Sequence, residues 1–317
     1  MSKIGQSISC LVGYSNNETN RIMSSSGGII REIYEYLLRE NIVDGVLIVV
    51  QENKRFLTRV ATEVEDLKEM ENSVYAPVKF SPGLKEMQPG KQYAVTCISC
   101  QYKKLIPYLD RIKYTFGLLC RGTYQYEAMD IFANHMGIKE YDSFNFRRNG
   151  WPGEIEIISS NEKHTFFRWP SIVRNPRLRS AKEGAFCKTT YLPKCIDCRF
   201  SFSCEEADIS FGDAWLPEFA NDRKGYSLVV TRKQHGDELI QDMMKKGLVH
   251  LYEPDISAVE ESLNDPNYNR WHDFKVTLFK NGNGWILPYI HFFDEFILGF
   301  PKLVGVFLSR AYNKISF

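Results

Sequence analysis

Residues 24–50 read SSSGGIIREIYEYLLRENIVDGVLIVV, and this stretch decides the fold class. Ile29, Ile30, Ile33, Tyr34, Leu37 and Leu38 recur at helical spacing, and the serines at 24–26 offer an N-cap. The run GVLIVV at 45–50 is continuously apolar and ends in β-branched residues, the pattern of a strand buried on both faces. A polar helix is predicted at Glu63–Glu71, with a loop reaching Pro82. Further on, YAVTCISC from Tyr93 predicts a strand ending on two cysteines, KKLIPYLDRIK an amphipathic helix, and YTFGLLC a third strand ending on Cys120. TYQYEAMDIFANHM is helical, and past Gly150 come the short strands EIEIIS, HTFFRW and YSLVVTR. DELIQDMMKKG is a helix stopped by Gly247. Helices and buried strands in alternation imply an α/β (α+β mixed) fold: a mixed sheet flanked by helices, part of it parallel. Ligands collect at the carboxyl ends of such strands, where Cys97, Cys100 and Cys120 stand.

The chain has 317 residues, with 40 Lys plus Arg against 39 Asp plus Glu. That balance argues against nucleic-acid binding through a strong basic field. A hydrophobic share of 44% with 25% charged residues is globular composition and excludes a largely disordered chain. The N-terminus lacks a signal-peptide pattern and no apolar run is long enough to span a bilayer, so the expected location is cytoplasmic with reduced thiols. Residues 284–317 differ from the rest, being rich in aromatic and aliphatic side chains and broken by Pro288 and Pro301. They suit a C-terminal helical arm closing on the core, or an amphipathic segment meeting a partner subunit or, peripherally, a membrane surface. No internal repeat is present.

Four of the eight cysteines fall in CKTTYLPKCIDCRFSFSC, as Cys187-x7-Cys195-x2-Cys198-x5-Cys204. Two thiolates separated by two residues can turn inward onto one centre, and the others complete a sulfur set. Zinc and an iron–sulfur cluster both suit four thiolates, and spacing alone leaves the two open. Cys100 and Cys120, beside Lys103, Lys104 and Arg121, are further ligand candidates, because neighbouring cations favour the thiolate. In EEADISFGDAW, Asp208 and Asp213 bracket a short strand and a glycine turn beside the cysteines. The Ser25-Ser26-Gly27-Gly28 turn enters a helix N-terminus, where free N–H groups and the helix dipole favour an anion such as phosphate. RRNGWPGE, carrying Arg147 and Asn149, is a turn able to hold a phosphate and stack on a ring. The six histidines are isolated and no Ser/His/Asp order stands out, so hydrolysis is not the reading these residues favour.

In this order, SSSGGIIREIYEYLLRENIVDGVLIV, SVYAPVKF, YAVTCISCQYKKL, GLLCRG, RRNGWPGEIEI, KCIDCRFSFSCEEADISFGDAW and GYSLVVTR resemble the coenzyme F420 hydrogenase/dehydrogenase beta-subunit family over roughly residues 10–255. The resemblance implies an N-terminal beta-subunit-like domain at 1–82, a second at 83–258 carrying the cysteines, and an uncovered apolar arm at 259–317. It also implies a cytoplasmic oxidoreductase containing FAD and a [4Fe-4S] cluster. In such proteins a hydride is exchanged with a deazaflavin (coenzyme F420) or another substrate, while the cluster carries single electrons to or from a partner. On that reading the phosphates of FAD lie against Ser25–Gly28 and basic residues such as Lys103 or Arg147, with Asp213 and Tyr75 as candidate proton donors. Bulky residues at Ser26 and Gly27 are expected to expel flavin and leave the fold intact.

The chain departs from the family pattern in places. Where the family has Gly-x-Pro-Cys-Gln this chain reads Cys97-Ile98-Ser99-Cys100-Gln101, and Phe200 stands near the C-x2-C pair where Asp is common. It also lacks a ferredoxin-like N-terminal segment, which implies a separate ferredoxin-like electron-transfer protein or partner subunit. The alternative class is a zinc-stabilised, non-catalytic binding or assembly module of surface-polysaccharide biosynthesis. A flavoenzyme that uses its cysteines only for packing is a third.

Overall fold

A computed structural model describes residues 4–167, 185–186, 190–196, 198, 202–219 and 221–263. Twelve strands run in chain order: β1 (Ser9–Ser15), β2 (Gly45–Glu52), β3 (Arg55–Ala61), β4 (Val78–Lys79), β5 (Tyr93–Cys97), β6 (Ile112–Leu118), β7 (Ser143–Arg148), β8 (Glu154–Ser159), β9 (Glu162–Phe167), β10 (Ile209–Asp213), β11 (Ser227–Thr231) and β12 (Val249–Tyr252). Nine of them form one sheet in the order β12-β1-β11-β10-β6-β5-β2-β3-β4. Its centre, β10-β6-β5-β2, is parallel, whereas β1 pairs antiparallel with β11 and β12, and β2 antiparallel with β3. The fold is therefore the mixed α/β sheet flanked by helices that the alternating pattern predicts. Strands β7-β8-β9 make a separate antiparallel sheet.

The helix–strand unit at 24–50 forms as its periodicity dictates. Helix α1 covers Glu18–Met23 and helix α2 covers Ile29–Arg39, the latter burying Ile29, Ile33, Tyr34 and Leu37 on the sheet. Strand β2 is buried on both faces: Val46, Ile48 and Val50 pack under α2, while Leu47 joins Phe80, Val95 and Cys97 on the other side. The high aromatic content is explained by a third cluster between the two sheets, where Phe132, Phe144 and Phe146 stack edge to face.

Three elements differ from their sequence reading. Strand β5 stops at Cys97, and Ser99–Tyr102 is a helical turn, so Cys100 sits on a helix rather than a strand. KKLIPYLDRIK is a 3-10 helix over Ile106–Arg111 with no buried residue, since Pro107 cannot donate to the preceding turn and Ile106 and Leu109 face solvent. The polar helix at 63–71 is likewise 3-10, over Val64–Glu69. Strands β1, β3, β4, β7 and β12 have no counterpart in the sequence reading.

Among the described residues no helix is long and apolar enough to cross a membrane. Cys187 and residues 264–317, with most of the apolar arm, lie outside the described residues.

Candidate functional site

The carboxyl ends of β5, β6 and β10 open into a cleft of about 340 Å³, within the range of roughly 300–1,000 Å³ typical of small-molecule sites. One wall is the turn into α2, lined by Ser24, Ser25, Ser26 and Gly28. Cys97, Cys100, Cys120 and Cys195 line the same cleft. So do Tyr75, Arg147 and Asp213, with Leu47, Ile48 and Phe211 among its apolar lining. The topology produces this arrangement: the parallel strands release their chains on one edge, and the α2 turn is drawn onto that edge by β1 and β11.

Backbone bonds hold the turn in place. Ser15 N donates to Gly27 O (2.7 Å), Gly27 N donates to Ser227 Oγ (3.0 Å), and Ser26 Oγ donates to Tyr226 O (2.8 Å). Ser25 Oγ accepts from Ser73 N (3.0 Å), fixing the loop that carries Tyr75. Gly28 is the N-cap of α2 at φ 80° and supplies no side-chain cap, so the first N–H groups of α2 have no partner from that residue.

Arg147, at the end of β7, fastens the small sheet to this edge. Its Nη1 donates to Asp213 Oδ2 (2.6 Å) and to Tyr75 Oη (3.4 Å), its Nε donates to Pro152 O (3.0 Å), and its Nη2 donates to Ser25 O. Burial disfavours its charge, but Asp213 and then Tyr75 outweigh that and hold its pKa above the ordinary guanidinium value. The sequence reading gave Arg147 to phosphate; the fold commits most of its N–H groups to the protein.

The structure brings Ser25, Ser26, Gly28, Tyr75, Arg147 and Asp213 together with Cys100, Cys120 and Cys195. Gly27 packs behind the turn, against β1 and β11. Lys103 is exposed and does not line the cleft, whereas its neighbour Lys104 does. Asn149 is exposed and donates through Nδ2 to Glu154 Oε2 (2.6 Å).

Six of the seven described cysteines divide into two groups, Cys10 lying apart from both. Burial pushes the Cys100 thiol up, and Cys195 and Cys198 push it further while Lys194 opposes them. Burial likewise raises the Cys120 thiol, to about 12, with Cys100, Cys195 and Cys198 adding to the shift against a Gly122 backbone hydrogen bond. These four thiols thus form one electrostatic group, of which Cys100, Cys120 and Cys195 line the cleft. Cys204 lies elsewhere: fully buried, it shares a hydrogen bond with Cys97 inside the core that also holds Val95 and Ala207. Among the described residues no group of three or more Cys, His, Asp or Glu is arranged to hold a metal ion as it stands.

Burial orders thiol reactivity in the metal-free chain. Cys198 is exposed, Cys100 and Cys195 are intermediate, and Cys97 and Cys204 are buried. With limiting maleimide at neutral pH, Cys198 is labelled first, and Cys97 and Cys204 only on unfolding. Early labelling of Cys204, read by peptide mass mapping, is incompatible with this packing.

The sequence reading missed Arg31, which lines the cleft from within α2. Its helical spacing marks it only as a polar residue between Ile30 and Ile33, and its burial depends on residues 67–70 folding over it.

Comparison with known proteins agrees with this architecture. The sequence matches the coenzyme F420 hydrogenase/dehydrogenase beta subunit, its N-terminal family over residues 10–85 and its C-terminal family over residues 90–257. It is 25% identical over 256 residues to a coenzyme F420-dependent sulfite reductase of Methanocaldococcus jannaschii, a match covering 73% of this chain and 37% of that protein. A second, uncharacterised protein of that organism is 21% identical over 250 residues, which is 76% of this chain and 86% of the relative. Among solved structures, a chain of the F420-reducing [NiFe] hydrogenase complex from Methanosarcina barkeri superposes with a TM-score of 0.61 at 18% identity, covering 83% of this chain and 89% of that one. The strand order, the cleft and both matched regions together place this chain in the coenzyme F420 hydrogenase/dehydrogenase beta-subunit family.

Proposed function

We propose that the chain is an oxidoreductase subunit using FAD and a [4Fe-4S] cluster to pass electrons between a ferredoxin-like or deazaflavin (coenzyme F420) carrier and a substrate. The observation that carries this reading is the shared cleft, lined by a helix N-terminus with its polar turn and by three of the grouped thiols, Cys100, Cys120 and Cys195. The name of the sulfite reductase relative and the hydrogenase complex containing the structural neighbour point the same way, toward F420-linked redox chemistry and a partner subunit.

The residues suit both groups. A zinc ion requires four ligands closed on one point at about 2.3 Å for sulfur, whereas a cluster spaces its thiolates around a larger body. Cys100, Cys120, Cys195 and Cys198, whose thiols influence one another, are the ligands this reading assigns to the cluster. Positive iron would reverse the upward thiol shifts, because it stabilises the thiolate that burial disfavours. When bound, FAD supplies hydride chemistry and the cluster supplies single-electron transfer.

The protein's own contribution is position and field. Ser24–Ser26 and the α2 N-terminus present a polar wall suited to phosphates, while Leu47, Ile48 and Phe211 give a ring an apolar floor from which water is displaced. Tyr75 Oη accepts from Arg147 Nη1 (3.4 Å), so the guanidinium stabilises negative charge developing on that oxygen.

Absorbance and metal analysis of anaerobically purified protein test the proposal. Flavin bands, a broad brown shoulder and about four irons per chain support it. Colourless protein with equimolar zinc overturns it in favour of the binding-module reading. Cys195→Ser is expected to lose iron and keep flavin, since Cys195 belongs to the thiol group and makes no hydrogen bond to the α2 turn. Unchanged iron content in that variant removes Cys195 from the ligand set.

A further inference from the structure

Among the described residues three arginines are buried, and two of them are paired with carboxylates: Arg147 with Asp213 and Arg21 with Asp222. Arg31 is only 4% exposed and has no ion pair among the described residues. Its Nη1 donates to Leu67 O (2.7 Å) and its Nη2 to Met70 O (3.4 Å), while its buried Nε has no partner. Burial lowers its pKa, Glu35 opposes that shift, and the charge of Arg148 adds to it. Carbonyl dipoles offset part of the cost of burying a guanidinium, but a counter-charge completes the compensation.

Arg31 also lines the cleft, in the first turn of the 11-residue helix α2 whose N-cap, Gly28, brings no capping side chain. A buried cation without a counter-charge and a helix N-terminus without a capping side chain therefore line one cleft, and both favour negative charge. Glu71, Asn72 and Ser73 line it too, but Glu71 is paired with Arg148, Asn72 Nδ2 donates to Arg147 O (2.9 Å) and Ser73 N donates to Ser25 Oγ (3.0 Å).

We propose that Arg31 and the first-turn N–H groups of α2 form an anion subsite that takes a phosphate or diphosphate group. The subsite deepens the flavin reading above, on which its assignment to a cofactor rests. Two sources share this chemistry: the diphosphate of FAD, and a phosphate carried by a separately bound substrate.

Titration of the flavin-free protein with FAD, FMN, riboflavin and inorganic pyrophosphate separates them, with Arg31→Met and Arg31→Lys as variants. Flavin binding is read by fluorescence quenching and pyrophosphate binding by the shift in melting temperature. If the anion is the flavin's own, wild type binds FAD more tightly than riboflavin. Arg31→Met then weakens FAD at least tenfold with riboflavin unchanged, and Arg31→Lys recovers part of the loss. If FAD affinity survives in Arg31→Met but pyrophosphate no longer raises the melting temperature, the subsite stands and serves a phosphorylated substrate. Wild-type protein stabilised by pyrophosphate through Arg31 but binding no flavin overturns the flavin reading and leaves the subsite intact. Failure of pyrophosphate to stabilise wild type, or equal responses in wild type and a folded variant, overturns the subsite. The wild-type arm decides the matter even if Arg31→Met does not fold.

Discussion

Replacing Gly27 by valine is expected to unfold the protein, not merely to empty its cleft. A Cβ at this position would lie 2.5 Å from Gly13 O, 2.8 Å from Ser227 N and 3.0 Å from Ser227 Oγ. The first two are backbone atoms in β1 and β11, strands that are paired with each other and cannot retreat without breaking their ladder. Gly27 also accepts from Ser15 N and donates to Ser227 Oγ, so displacement of the turn loses both bonds. Overpacking a close contact and losing two buried hydrogen bonds together cost about 3–5 kcal/mol, a large part of the ~5–15 kcal/mol that stabilises a typical domain. The expected result is insoluble protein or a urea midpoint far below wild type. Ser26→Ala is the contrasting variant: it removes the bond to Tyr226 O and costs about 1 kcal/mol with the fold kept. A Gly27→Val protein with a wild-type midpoint is incompatible with the packing described. The outcome also separates two jobs that sequence reading assigned to one turn: Ser25 and Ser26 face the cleft, while Gly27 lets two strands pass behind it.

The reason one part of this molecule was legible and another was not lies in how local the determining contacts are. Helix α2 and strand β2 follow from spacing within their own residues, because Ile33, Tyr34 and Leu37 recur every turn and Val46 to Val50 need no polar face. Strand β1 is different. Its pairing partners, β11 and β12, lie more than two hundred residues away, and its Gly13 approaches His250 O so closely that only a glycine fits. Nothing within SCLVGYS announces that. The same distinction runs through the site. The serine–glycine turn and the cysteines carry their chemistry in their residue types, so they could be named from sequence. Whether they meet is decided by the sheet order, which sets Cys100, Cys120 and Cys195 in one cleft with Ser25 and leaves Cys204 beside Cys97 in the core. Arg31 became visible only through the tertiary cover that buries it.

Removal of the Arg147 guanidinium is the second large effect expected. Arg147→Met keeps an apolar stem but leaves Asp213, with a side chain 13% exposed, without its cation, and frees Ser25 O, Pro152 O and Tyr75 Oη at once. Breaking one side of a buried ion pair costs about 3–5 kcal/mol, mostly the desolvation of the abandoned charge. Neutralising that charge should therefore recover stability: Asp213→Asn in the Arg147→Met background is expected to be less damaging than the two single costs added together, by about 1–3 kcal/mol in a double-mutant cycle. Strict additivity in urea unfolding would mean that the pair is not the clamp. Arg147→Lys discriminates charge from shape, since a lysine keeps the cation yet cannot reach four acceptors on four separate segments. If the guanidinium fork is what joins the small sheet to the edge of the large one, the lysine variant restores only part of the stability lost in Arg147→Met. It should also bind flavin more weakly than wild type, because the Ser25 turn and the Tyr75 loop are then positioned by separate contacts and no longer by one side chain.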